Sequence, residues 1–165
     1  MRYLRLVLFV LVTPLQALCQ GNVGCPWLNV ATASGVLRSS DNSGTMAAMS
    51  QGSKEACTFL YHDATASREL RITTEEVKDT GHAMSSYKAH CSGAIAPVQA
   101  IGNEAVMCAA DFRGQAAGEQ VIGRVRDQVF TVAISTSARN DPFMSSEELK
   151  EKTRNIAEQV AGALF

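Results

Sequence analysis

The chain lacks the short patterns that usually announce chemistry. It has no His-Glu-x-x-His pair, no Cys-x-x-Cys, no Gly-x-Gly-x-x-Gly, no Walker pattern and no Gly-x-Ser-x-Gly elbow. These absences argue in turn against a zincin site, a dithiol redox or zinc clamp, a dinucleotide or phosphate cradle, and a strained hydrolase nucleophile. There is no basic stripe to track a polyanion, which argues against nucleic acid as partner. Heptad runs, collagen-like repeats and Asn-x-Ser/Thr sequons are also absent.

Long apolar runs are scarce as well. The one near the start, Leu6 to Val12, follows Arg2 and Arg5 and is broken by Pro14. It is too short to span a bilayer as a helix. Basic start, apolar centre and the small residues Ala17 and Cys19 have the layout of a secretory signal peptide, residues 1–19, with cleavage after Cys19. Lipidation of Cys19 and a retained N-terminal anchor are the alternatives; for lipidation, Leu18 is large where a lipobox needs a small residue. Removal leaves residues 20–165 as one domain with no integral membrane segment. It carries 13 basic and 16 acidic residues once Arg2 and Arg5 are gone. The expected location is secreted or periplasmic.

Four cysteines remain in that domain: Cys25, Cys57, Cys91 and Cys108. An even number in an exported chain reads as two disulfides. Of three pairings, sequence neighbours are favoured: Cys25 with Cys57, and Cys91 with Cys108. The stretch between the second pair holds a proline and two glycines and can fold back. With no clustered ligands, a structural staple is preferred to a metal clamp or redox switch, and no cofactor or metal is expected.

Periodicity predicts an α+β domain: an antiparallel sheet of five or six strands with two or three helices on one face. Asn29 caps a short helix over 30–37. Residues 39–45 are a loop by composition, and 45–51 a weak strand. In 56–62, Cys57, Phe59 and Tyr61 point one way; in 68–74, Leu70 and Ile72 point inward. Met84, Tyr87 and Cys91 sit at helical spacing, so a short helix is predicted to end at Cys91. "APVQAIGNE" reads as irregular, 105–112 as a strand, and 119–136 as a hairpin turning near Arg126-Asp127-Gln128. Ser145 and Glu148 open the C-terminal helix with a capping-box pattern, and Leu149, Ile156, Val160 and Leu164 mark its buried side. Residues 56–91 and 119–165 both run strand, strand, helix, an internal echo without close residue matches.

"CPWLNVATASGVL", then "CTFLYH" and "LRI", resembles an uncharacterised family of small secreted bacterial proteins and lipoproteins. Its members open with a cysteine and a short apolar helix often ending at Leu-Gly; a second cysteine, one residue before an aromatic, begins a strand. Cys25 and Cys57 with Phe59 match those positions, while Val36-Leu37-Arg38 stands where the family has Leu-Gly. The resemblance implies export and a fold, and no activity.

Candidate site residues are few. His82 and His90 stand two helical turns apart, with Asp79 or Glu104 as a third group, but ordinary surface histidines are the simpler account. His62-Asp63 ends a strand without a nucleophile nearby in a recognisable pattern. Glu104 follows the turn Gly102-Asn103. Trp27 beside Cys25 is a core residue or the wall of a groove. The methionines, among them Met46, Met49, Met84, Met107 and Met144, read as core filling, and "RELRITTEE" as a solvated charged face. The function expected is a non-catalytic binding or interaction module for a protein, peptide or small molecule. The alternatives are a small secreted enzyme without a local signature, hydrolase-like, or a secreted enzyme inhibitor.

Overall fold

Two β-meanders meet at the centre of one antiparallel sheet. The computed structural model describes residues 24–38, 45–51, 54–110, 112 and 114–165, with backbone alone for 45–51. The signal segment, the mature start at Gln20, residues 39–44 of the predicted loop and the side chains of Met46 and Met49 lie outside the described residues. In chain order the elements are α1 (Val30–Leu37), β1 (Thr45–Gln51), β2 (Lys54–His62), β3 (Ser67–Glu76), α2 (Thr80–Lys88), β4 (Cys91–Pro97), β5 (Glu104–Ala110), β6 (Ala117–Val125), β7 (Gln128–Thr136) and α3 (Ser146–Ala163). The strand order is β1-β2-β3-β7-β6-β5-β4, so β3 and β7 form the centre and β1 and β4 the edges. The expected α+β class is thus present, with seven strands among the described residues.

Alternation places the side chains as the pattern requires. Cys57, Phe59 and Tyr61 of β2, Leu70 and Ile72 of β3, and Phe130, Val132 and Ile134 of β7 share one core. Helix α1 covers β2 and β3 on that face, and α3 lies over β6 and β7, burying Leu149, Ile156 and Val160. Both helices start where the sequence caps them. Asn29 Oδ1 accepts the Thr32 N–H at 2.8 Å, and Ser145 Oγ accepts the Glu148 N–H at 3.2 Å. Arg38 ends α1 with φ 55°, the left-handed conformation that glycine adopts most easily.

Three expectations are corrected. The helices do not share one face: α2 packs on the opposite side, where Met84 joins Val106, Cys108, Ile122 and Val129. The two strand–strand–helix runs exist, yet their helices lie on opposite faces. Second, Cys91 does not end a helix, because α2 stops at Lys88 and Cys91 opens β4. Third, the part of "APVQAIGNE" up to Pro97 belongs to that strand. β4 is exposed along nearly its whole length and bulged between Ser92 and Ala96, so it shows neither alternation nor an apolar run.

Both disulfides follow the expected pairing, Cys25 with Cys57 and Cys91 with Cys108, each with Cα atoms 5.7 Å apart. Cys91 sits opposite Ala110, and Cys108 is two residues along β5, on the same face. The second bridge therefore ties the edge strand to its neighbour, rather than a helix to the sheet.

The hairpin turns at Arg126 and Asp127, and the Gly102-Asn103 turn braces it. Gly102 has φ 60°, and a Cβ there would meet the Arg124 carbonyl. Asn103 Oδ1 accepts the Arg126 N–H at 2.7 Å. In the same hairpin Gly123 lies beneath the ring of Phe130, its cross-strand partner; any Cβ would overlap ring atoms.

Candidate functional site

Among the described residues, Arg68 and Asp141 are charged side chains buried almost completely. The stretch "RELRITTEE" reads as a solvated charged face, but the parity of Arg68 on β3 is that of Leu70 and Ile72, so it points into the core. Its Nε donates to Asp141 Oδ2 at 2.6 Å and its Nη2 to Asp141 Oδ1 at 2.9 Å. Nη1 donates to Asp63 Oδ2 at 3.1 Å. The guanidinium lies over the rings of Tyr61 and Phe143, 5.4 and 5.2 Å from their centroids. Asp141 also accepts the Thr136 hydroxyl at 2.7 Å and the Phe143 N–H at 3.0 Å. These bonds outweigh burial and hold the Asp141 carboxyl below the usual range. Asp63, bonded by Thr65 and Ala66, falls to about 2.

This network positions the segment from Arg139 to Ser145. Asp141 is its anchor, Phe143 is clasped by Arg68 and, at 5.6 Å, by Arg38, and Lys152 Nζ donates to the Phe143 carbonyl at 2.7 Å. The segment ends at Ser145, the cap of α3. One buried arginine thereby places both a loop and a helix start.

That segment is one wall of a cleft of about 620 Å³ beside the start of α3. Its other walls are Ala109 and Ala110 at the end of β5, Ala116 to Gly118, and Ser146 and Leu149 of α3. Into it faces Glu119 of β6, on the same side of the strand as Val121 and 9% exposed. No hydrogen bond or ion pair reaches the Glu119 carboxylate among the described residues. Burial pushes it above the usual carboxylate range, and the nearby charge of Lys150 opposes that only in part. A second cleft, about 590 Å³, continues along the same flank of α3. Ala96, Val98 and Met107 form its apolar floor, and Glu147, Lys150, Glu151 and Arg154 its charged rim. Because α3 lies chiefly over β6 and β7, the ends of β4 and β5 protrude as a ledge, and the two clefts form along it.

The residues singled out from sequence are scattered. His82 and His90 do share a cleft, on the α2 face, with Lys54, Glu75, Asp79 and Tyr87. Its groups are largely committed: Asp79 caps α2 through the His82 N–H at 3.0 Å, and the Tyr87 hydroxyl donates to Glu75 at 2.6 Å. The Tyr87 phenol is raised by burial first and by that carboxylate second. Among the described residues no group of three His, Cys, Asp or Glu is placed to hold a metal ion. Glu104 does not join the histidines; it pairs with Lys88 at 2.6 Å, which lowers its carboxyl. His62 is exposed at the end of β2. Trp27 is half-buried, packs against the main core and lines a shallow cleft with Glu55, Thr74, Glu76 and Gln128.

Sequence reasoning did not single out Glu119, Arg68 or Asp141. For Arg68 the signal was strand parity, and for Glu119 likewise, two residues before buried Val121. For Asp141 there was only the turn dipeptide Asp-Pro. No protein-family model matches the chain, and neither does any curated protein or solved structure.

Proposed function

We propose that the protein is an exported, non-catalytic binding module whose ligand or partner lies in the groove between α3 and the β4–β5 ledge. The observation that carries this reading is the uncovered floor beside α3, small and apolar with a charged rim, which is the make-up of a recognition surface rather than of an open core. The larger of its two clefts is lined by two serines and the carboxylates Glu119 and Asp141, with no histidine or thiol beside them among the described residues. A hydrolytic relay needs a base within reach of its nucleophile, so binding is the better account of this lining. Two disulfides suit an oxidising compartment, as does the signal-like start; the resemblance to small secreted bacterial proteins agrees.

Amide chemical-shift mapping with a mixed set of small fragments and short peptides tests the groove. Perturbations should cluster at Ala96, Met107, Gly118 and Ser146. Clustering around His82 and His90 instead would move the site to the α2 face and reopen the enzyme reading. Mass measurement of exported material should give a chain starting near Gln20, and retention of Met1 on a cytoplasmic species would refute export.

A further inference from the structure

We propose that the cleft at the start of α3 receives an alkylammonium group, carried on a small amine or on a lysine side chain, with Glu119 as its counter-charge. This rests on the reading of the groove as a binding site and names the chemistry it recognises.

Glu119 is an exception among the buried charges of the described residues. The other nearly buried ionic groups, Arg68 and Asp141, satisfy each other through two hydrogen bonds. Glu119 is 9% exposed and has neither a hydrogen-bond donor nor a cation within ion-pair distance among the described residues. Its oxygens keep contact with the solvent of the cleft, so a counter-ion can reach the carboxylate from that side. It also lies at the wall of a cleft with room for a small group. Among the described residues, Lys150 is exposed on α3 and Arg139 is exposed on the rim.

The ligand's charge follows from the carboxylate, because an anion would meet repulsion there. Asp141, the other carboxylate of the cleft, is taken up by Arg68, and Glu119 alone is a poor metal site, which requires several convergent ligands. An ammonium offers three donors around a compact charge. The Ser145 and Ser146 hydroxyls and the Asn140 amide line the same cleft as further acceptors. Alanines at 109, 110, 116 and 117 give an alkyl stem an apolar approach.

Of the described residues that line this cleft, the charged ones besides Glu119 are Arg139 of the loop and Asp141, which Arg68 holds; Lys150 of α3 acts on Glu119 from outside it. Of these, none neutralises Glu119 by contact. An incoming ammonium does so, and Glu119 then loses its proton to water if it was neutral. Binding therefore strengthens as pH rises through the Glu119 titration, while the amine stays protonated.

The test uses the full mature chain with n-pentylamine, an acetylated and amidated Ala-Lys-Ala peptide, and its norleucine counterpart, followed by amide shifts and the Glu119 carboxyl resonance. The amine or the lysine peptide should perturb Gly118, Ser145 and Ser146 and lower the Glu119 titration. Glu119→Gln should weaken that binding about 10- to 100-fold, the scale of a hydrogen bond to a charged group. Ala109→Leu, at the cross-strand neighbour of Glu119, fills the cleft while leaving the carboxylate in place and should abolish it. Tighter binding of the peptide assigns the source as a lysine side chain, and tighter binding of the amine as a free amine. Equal binding to Glu119→Gln, equal binding of the norleucine peptide, or no perturbation at tens of millimolar overturns the assignment. If other fragments still bind the groove, only the ammonium is lost; if none does, the binding reading falls with it.

Discussion

Replacing Asp141 by Asn keeps the size of the side chain and removes its charge. Asp141 accepts four hydrogen bonds, two from Arg68 and one each from Thr136 and Phe143. The amide retains one oxygen but turns an NH₂ group towards donors. Arg68, wholly buried, keeps only Asp63 at 3.1 Å, a weak contact to the Leu37 carbonyl at 3.4 Å, and the faces of Tyr61 and Phe143. Breaking a buried pair from one side costs about 3–5 kcal/mol. The surviving partners place this case near the lower end, about 3 kcal/mol. At about 3 °C per kcal/mol for a domain of this length, the melting point should fall by roughly 10 °C. Urea unfolding with disulfides intact, followed by the fluorescence of Trp27, the single tryptophan, measures it. Arg68→Met with Asp141→Leu removes both charges and should recover most of the loss, since an apolar pair of similar volume is often neutral. A loss below about 1 kcal/mol for Asp141→Asn, or a double variant no better than the single, would refute the claim that this pair holds the Arg139–Ser145 segment.

Acid should destabilise the protein through the same residues. The carboxyls of Asp63 and Asp141 are lowered in the fold, so their stabilisation is present above the ordinary carboxylate range and is lost as pH falls towards about 2, the Asp63 value. A urea series between those limits should show this slope, and Asp141→Asn should flatten it. Changing Cys91 and Cys108 together should cost roughly 3 kcal/mol and Cys25 with Cys57 roughly 4, following loop length; equal or reversed losses would show that chain entropy is not the main term. Gly123→Ala should cost about 1–3 kcal/mol by displacing the Phe130 ring, and a calorimetric scan with an unchanged midpoint would contradict that packing. Protein purified without chelator should carry less than one equivalent of zinc, copper or iron by elemental analysis; a bound equivalent lost on His82→Ala would identify a metalloprotein.

The sequence by itself determined what depends on neighbours along the chain. Period-two alternation in β2, β3 and β7 set which residues are buried. Asn29 and Ser145 marked helix starts because a cap needs only an amide three residues on. The class and the disulfide partners followed from the same local logic. Strand β4 was hidden because a bulged, exposed edge has no buried side and hence no period. The faces chosen by α2 and α3 were not legible either, since each depends on which side of a finished sheet still shows apolar surface. The groups of greatest chemical interest depend on distance in space alone. Arg68 meets Asp141 across 73 positions. Glu119 stands without a partner among the described residues because β6 runs under the start of α3 and no cation there lies within ion-pair distance of it. Pairing, burial and isolation of charges are properties of three-dimensional neighbours, and only the tertiary structure decided them.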